Sequence, residues 1–228
     1  MAWPISRLII VIVMACLASL VLYGDVLDSF FVSDDFSIIS KVRDHGPSGL
    51  WCTGGVFLRP FVSLSIAADL ILWDLSPRGF HVHNVLIHGL CAFLTGMIAV
   101  GFGRRLGCGD HTSWTRIGLL AGLVFLVAPT HAAAVSWISA RADLYATLFS
   151  LAALAAYLRG GAERSWRLVP PLLWALALAC KESAATVPLL ILAFELARRP
   201  KDDCSRAGLG DGLRRVAPWL VVFAAYVL

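Results

Sequence analysis

The chain has 228 residues, of which 59% are hydrophobic and only 15% are charged, and its mean hydropathy is +0.79. Soluble globular domains carry about 25% charged residues, so this composition excludes a soluble domain and indicates a multi-pass integral membrane protein. The formal net charge of +4 lies in short loops, which is typical of orientation in a bilayer and argues against nucleic acid as a partner. An excess of arginine over lysine, with abundant alanine, favours a bacterial source and hence the bacterial inner membrane.

The first span is predicted from an unbroken apolar run at residues 8–23, which follows Arg7. A cleaved signal peptide is the alternative, but several further spans follow, which favours an uncleaved helix. The next segment, residues 28–79, is a long outer loop. Inside it, residues 61–75 are apolar but short for a hydrocarbon core of ~30 Å, so we expect an interfacial or juxtamembrane helix there.

The distribution of basic residues supports this assignment. If residues 61–75 do not cross, 13 of the 19 lysines and arginines lie on the cytoplasmic side. If the segment crosses, every later loop changes sides and only 4 remain there. The positive-inside rule therefore rejects the crossing.

Three more spans are predicted, at residues 81–102, 117–138 and 142–158. Pro129 lies near the end of the third span, where it frees backbone groups that need a partner, so we expect this corner to pack inward. Residues 168–179 and 183–197 read as two short helices that dip from the cytoplasmic side.

A basic loop at residues 198–215 and the start of a seventh span at 217–228 complete the chain. An apolar run of ~12 residues is too short to cross a bilayer. The predicted fold is an all-α membrane bundle of about six spans plus an incomplete seventh. Residues 1–228 are interpreted as the N-terminal part of a larger module whose C-terminal part is missing.

An acidic pair, Asp34-Asp35, follows the first span, and the topology returns several charged residues to the same side of the membrane. Aspartate at a bilayer surface often serves as a solvated helix cap, and basic residues at helix ends often pair structurally or reach toward the interface. The gathering of so many at one face instead favours a polar active site. These residues are Arg59, Arg141, Asp143, Lys181 and Glu182.

Several short motifs occur in a specific order. They are Asp34-Asp35, Arg59-Pro60, Phe80-His81-x-x-Asn84-Val85-Leu86-x-His88, Pro129-x-His131, Ile138-Ser139-x-Arg141-Ala142-Asp143-Leu144 and Cys180-Lys181-Glu182. Together they resemble the transmembrane and tetratricopeptide-repeat O-mannosyltransferases, a family of the GT-C glycosyltransferases, which use polyprenyl-phosphate sugars. The resemblance covers about residues 28–185. Two departures are Ala133, where the family usually has an acidic residue, and the lack of a repeat domain.

The resemblance implies transfer of a hexose such as mannose from a polyprenyl phosphate to an acceptor hydroxyl on protein or glycan. The reaction would invert the anomeric carbon on the extracytoplasmic face, toward the periplasm or exterior. Asp34 matches the catalytic aspartate and would act as general base, while Asp35 would orient it or help bind sugar or metal. The remaining matches would bind the leaving phosphate: Arg59, Arg141, Lys181 and His131.

Supporting roles fall to Asp143, Glu182, His81, Asn84 and His88. His81 and His88 lie two helical turns apart, too far for one ion, so no metal site is predicted. Asn84 and His88 are expected to form a polar seam between helices. A divalent cation stays open as a cofactor, because members of the family differ in needing one.

Two other function classes stay open. A transporter or flippase of lipid-linked sugar would use the same cations and groove without needing Asp34 for chemistry. A non-catalytic GT-C relative is the third class. An Asp34→Asn variant that keeps its activity would favour the transporter.

Overall fold

The structure is a computed structural model that describes residues 4–48, 59–107, 110–160, 168–197 and, near the end, 218, 219, 221–224 and 226. All regular structure within these residues is helical, which confirms the predicted all-α class. Short 3-10 turns join several of the helices. Between residues 4 and 197 the described α-helices are α1 Ile5–Leu22, α2 Asp34–His45, α3 Pro60–Trp73, α4 Pro77–Leu106, α5 His111–Val127, α6 Ala132–Ser136, α7 Arg141–Arg159, α8 Val169–Leu178 and α9 Val187–Ala197.

Three described helices are long and apolar enough to cross a bilayer, namely α1, α4, and α7 with its preceding turn. Helix α5 and residues Pro129–Ser136 pass the same test together as one broken span, bent by 49°, which raises the number to four. Helices α3 and α8 are apolar but shorter. The described residues therefore do not confirm the predicted count of six spans. The predicted loop at 198–215 and most of the predicted seventh span at 217–228 lie outside them.

Helix α4 is the centre of the bundle, because α1, α5 and α7 all pack along it. Glycines permit the close approach of these helices. A Cβ on Gly89 would lie 2.8 Å from the Cα of Cys16 in α1, and one on Gly96 would lie 2.7 Å from the carbonyl oxygen of Gly118 in α5. Small residues of this kind let membrane helices meet backbone to backbone. The positions of the helix ends relative to one another follow from these contacts.

The predicted third span is broken at its proline. Helix α5 ends at Val127, two residues before Pro129, because a proline ring cannot continue the hydrogen-bond ladder. The side-chain amide of Asn84 donates to the backbone oxygens of Val135 and Trp137, at 3.3 Å each. Val135 is fully buried, so the corner packs inward there, whereas Pro129 itself is exposed.

The predicted helix at 61–75 forms as α3, but it does more than lie at an interface. It packs against α2, α4 and α7, and one face buries Ser63, Ser65 and Asp69. The opposite face is apolar and exposed, as Ile71 illustrates. Three polar side chains on the buried face require partners inside the bundle.

Helices α1 and α5 finish, and α4 and α7 begin, at one end of the bundle, which we call the polar end. Here His88 of α4 is hydrogen-bonded to the Leu126 carbonyl of α5, and Arg141 of α7 to the Phe80 carbonyl of α4. The break between α8 and α9 falls at Lys181-Glu182, as predicted, and Lys181 also reaches α7. At the other end, Arg105 of α4 caps the last carbonyls of α7.

Candidate active site

The two adjacent aspartates have different environments. Asp35 is buried, and its Oδ1 accepts two hydrogen bonds from Ser139. One comes from the Ser139 backbone N–H, at 2.7 Å, and the other from its hydroxyl group. Its Oδ2 accepts from the backbone N–H of Val32 at 3.0 Å. Asp34 is exposed at the first residue of α2. Asp35 thus anchors the loop to the start of α7, while the neighbouring Asp34 carboxylate faces outward.

A tight turn from Val32 to Asp35 holds the two aspartates in these positions. The Asp35 N–H donates to the Val32 carbonyl at 3.0 Å, and Ser33 between them has φ 50° and ψ −118°. These angles match the first central position of a type II′ turn, which favours glycine because a Cβ is crowded there. Ser33 is therefore strained, and strain of this kind is commonly stored at functional sites.

Arg141, the first residue of α7, lies entirely in the protein interior, with 0% of its side chain exposed. Its Nε donates to Asn84 Oδ1 at 2.9 Å, and its Nη2 to the Phe80 carbonyl at 3.1 Å. Its Nη1 contacts the Asp69 carboxylate and, at 3.5 Å, the Ser65 hydroxyl. Every nitrogen of the guanidinium group therefore has a protein partner, and a phosphate could reach it only by displacing one of them.

Asp69 connects Arg141 to a second group. One carboxylate oxygen meets Arg141, and the other accepts from His83 Nδ1 at 2.7 Å. The second ring nitrogen of His83 lies 2.7 Å from the Tyr145 hydroxyl on α7. A continuous series of contacts, one ion pair followed by two hydrogen bonds, therefore runs from Arg141 through α3 and α4 and returns to α7 one turn later. Networks of this kind fix side-chain orientation when every member is satisfied.

Two further ion pairs lie at the polar end, and both are partly exposed. Lys181 Nζ lies 2.6 Å and 2.8 Å from the two carboxylate oxygens of Asp143. Arg59 Nη2 lies 3.6 Å from Glu182 Oε2. The exposed fractions are 28% for Lys181, 41% for Asp143, 24% for Arg59 and 56% for Glu182. Solvent or a ligand can thus reach these cations, in contrast to Arg141.

Cys180 sits beside these pairs, directly before Lys181, and is fully buried. Burial raises the pKa of its thiol to about 12, and the positive charge of Arg59 opposes the rise only in part. The thiol therefore stays protonated at neutral pH. The influence of Arg59 also places that cation near residues 180–182, the segment that carries Lys181.

The predicted phosphate ligand His131 has its contacts on the α1 side of the polar end. Its Nδ1 donates to the Phe125 carbonyl at 2.9 Å, and its ring centroid lies 5.5 Å from that of His88. His88 in turn packs edge-on against Tyr23. The predicted seam of Asn84 and His88 exists: His88 is hydrogen-bonded to the Leu126 carbonyl in the last turn of α5, and Asn84 donates to the Val135 carbonyl beyond that helix.

His81 is buried on α4, where the charges of both Asp35 and Arg141 act on it. No group among the described residues makes a well-formed hydrogen bond with either ring nitrogen, although the Ser29 backbone is close. His81 therefore lies within the electrostatic influence of both the anchored acid and the buried cation.

Within the ranges that the structure describes, no three His, Cys, Asp or Glu side chains converge in a way that could hold an ion. Asp69, Asp143 and Glu182 are instead paired with basic side chains, and Asp35 with backbone N–H groups and a hydroxyl.

Sequence reasoning missed three residues of the network around Arg141: Asp69, His83 and Tyr145. A signal was present for Asp69, because an acid inside an apolar helix usually has a buried partner. His83 and Tyr145 had no such signal, since their pairing depends on how α4 and α7 pack. Ser139 was part of a motif, but its role as the partner of Asp35 was not predicted.

Comparison with known proteins gives a consistent set of relatives. The protein O-mannosyl-transferase Tmtc1 of Drosophila melanogaster is 34% identical over 150 residues, which cover 64% of this chain and 16% of that protein. The protein O-mannosyl-transferase TMTC4 of Homo sapiens is 31% identical over 212 residues, or 78% of this chain and 28% of that protein. The protein O-mannosyl-transferase TMTC2 of Mus musculus is 32% identical over 167 residues, which cover 64% of this chain and 19% of that protein.

The alignments cover less than a third of the length of these relatives. The chain matches no protein-family model and no solved structure. Kinship therefore rests on the sequence similarity itself. The resemblance inferred from the motifs is confirmed: this chain is a relative of the TMTC protein O-mannosyl-transferases.

Proposed function

We propose that this chain forms part of a membrane glycosyltransferase. It would move a hexose, such as mannose, from a polyprenyl-phosphate carrier to a hydroxyl group on protein, at the extracytoplasmic side of a bacterial inner membrane. The protein acceptor and the mannose are suggested by the names of the relatives. The architecture would be that of a GT-C enzyme.

One observation carries the proposal. An exposed carboxylate, Asp34, stands beside a buried and anchored one, Asp35, at the end of an apolar bundle where two accessible cations also lie. Glycosyl transfer with inversion needs these elements: a base at the acceptor and positive charge at the leaving group.

In the proposed reaction the acceptor oxygen attacks the anomeric carbon while Asp34 takes the hydroxyl proton. A new C–O bond forms, the bond between the anomeric carbon and the phosphate oxygen breaks, and polyprenyl phosphate leaves. Asp35 would keep the loop in position through Ser139, so that the Asp34 carboxylate faces the acceptor. Fixing the base in this way saves the entropy of positioning it.

Lys181 and Arg59 are the best placed of the cations to stabilise the charge on the departing phosphate, because both are partly exposed. Arg141 stays a candidate for the same role, but it would have to give up a partner inside the protein. His131 would act from the α1 side of the polar end. His81 would support the acid pair from α4.

The test is turnover of a polyprenyl-phosphate hexose by membranes that carry the protein, comparing the unchanged chain with Asp34→Asn. Loss of a general base lowers turnover by about 10²–10⁴-fold. The matched control is Asp44→Asn, which removes the same charge from an exposed position on the same helix. Protein amounts in the membrane must be equal.

Loss of turnover in Asp34→Asn with normal turnover in Asp44→Asn supports the glycosyltransferase. Equal turnover in all three proteins removes Asp34 from the chemistry. Movement of intact lipid-linked sugar across the membrane, without transfer, would replace the proposal with a flippase.

A further inference from the structure

Each cation predicted to bind the leaving phosphate already holds an acid in this structure. Arg141 is paired with Asp69, Lys181 with Asp143, and Arg59 with Glu182. The three acids come from different parts of the chain: α3, the first turn of α7, and the turn after α8. Each of these three cations therefore already has a counter-charge without any bound donor.

The three pairs differ in how easily they can be broken. Both members of the Arg141–Asp69 pair are at most 2% exposed, so an acid released there would have no water to meet. Asp143 and Glu182 are 41% and 56% exposed. An acid released from either of these pairs is solvated at once, which removes most of the cost of separating it from its cation.

A phosphate that arrives at this site competes with the resident carboxylates. Asp143 contacts Lys181 through both oxygens, so an added phosphate on the same ammonium group would lie close to a like charge. The phosphodiester of the donor has two non-bridging oxygens, and Arg59 lies against Glu182, the residue that follows Lys181. One phosphate group can therefore take the place of both carboxylates by turning one non-bridging oxygen to each cation.

We propose that Asp143 and Glu182 are resident counter-ions that occupy Lys181 and Arg59 until the donor phosphate displaces them, and that they thereby set the affinity for the lipid donor. This inference rests on the proposed function. Asp69, in contrast, is a permanent partner that keeps Arg141 buried. The two exchangeable acids thereby weaken donor binding.

The test is the KM for a short-chain polyprenyl-phosphate hexose in Asp143→Asn, Glu182→Gln and the double variant. Removing a competitor strengthens ground-state and transition-state binding alike, so the KM falls while kcat is unchanged. Because an exposed ion pair contributes little free energy, we expect the KM to fall by up to about fivefold for each position. We expect the larger effect from Asp143, because its contact with Lys181 is shorter than that of Glu182 with Arg59.

Two controls accompany these variants. Asp143→Glu keeps a carboxylate and should keep the KM near that of the unchanged protein. Asp28→Asn breaks an exposed pair with Arg78, at 3.9 Å, that belongs to no proposed site, and should leave the KM unchanged. An unchanged KM in Asp143→Asn overturns the proposal. A raised KM that Asp143→Glu restores also overturns it, because Asp143 then orients Lys181 instead of competing for it.

A binding measurement separates this proposal from the proposed function. Titration of the solubilised protein with a short-chain polyprenyl phosphate, followed by thermal stabilisation, needs no turnover. Tighter binding by Asp143→Asn supports the counter-ion role even if no sugar transfer is found. Equal or weaker binding by Asp143→Asn refutes that role even if Asp34-dependent transfer is found.

Discussion

Replacing Asp69 with asparagine should destabilise the protein more than any other single loss of charge at the polar end. The carboxylate serves two partners, Arg141 through one oxygen and His83 through the other. An amide presents only one acceptor, so one partner would face an N–H group. Arg141 would also keep its positive charge in a site with 0% exposure.

The magnitude follows from the burial of the pair. Breaking a buried ion pair by removing one partner costs about 3–5 kcal/mol, because an uncompensated charge stays inside. We expect about 3 kcal/mol, since Asn84 and the Phe80 carbonyl still bond the guanidinium group. For a chain of this size that corresponds to a fall in melting temperature of about 6–12 °C.

The assay is thermal unfolding of the purified protein in detergent, with Asp28→Asn as the control. The Asp28–Arg78 pair is exposed on both sides, so its loss should change the free energy of unfolding by no more than about 1 kcal/mol. The double variant Asp69→Asn with Arg141→Met should cost less than the sum of the single changes. A mild Asp69→Asn variant, equal to Asp28→Asn, would refute the buried network.

Three further predictions concern other features. Ser33→Gly should raise the free energy of unfolding by about 1 kcal/mol, because glycine relieves the strain of a positive φ. Asp74→Gly, at φ 51°, should have the same effect away from the site. Melting temperatures equal to or lower than that of the unchanged protein would contradict the strain. Gly96→Ala should cost about 1–3 kcal/mol by forcing α4 and α5 apart, whereas Gly24→Ala meets nothing within 4 Å and should be nearly neutral in the same melting assay. Because burial raises the pKa of Cys180 to about 12, its thiol should resist alkylation at pH 8 and react only when the pH approaches that value or the protein unfolds. Labelling is measured by mass spectrometry of the peptide that contains Cys180. Rapid labelling at pH 8 would argue against burial.

The sequence predicts the helices well wherever an apolar run is uninterrupted. The first span and the span around residues 81–102 emerge directly, since length and hydropathy suffice to recognise them. The break at Pro129 is predictable as a place of disturbance, but not the short helix α6 that follows it. Where α3 would lie was harder, because a 14-residue apolar helix fits both an interface and a protein interior.

The candidate site shows a different limit. Polar motifs identify which residues gather at one end of the bundle, but they do not show how deeply each side chain is buried. Arg141 and Lys181 look alike in sequence, yet one is enclosed by protein and the other is partly open to solvent. The pairing of Asp69 with Arg141 could not be read from the chain either, because it depends on how α3, α4 and α7 pack together.

The link between Asp35 and Ser139 also bears on how the protein is made. The two residues are 104 positions apart, and ribosomes add about 5–20 residues each second. The turn that carries Asp34 is therefore synthesised about 5–20 s before the residue that anchors it exists. During that interval α1 and α4 can enter the membrane while the acidic turn waits in water. The Asp34–Asp35 turn acquires its final position only when the beginning of α7 has emerged and docked against α4.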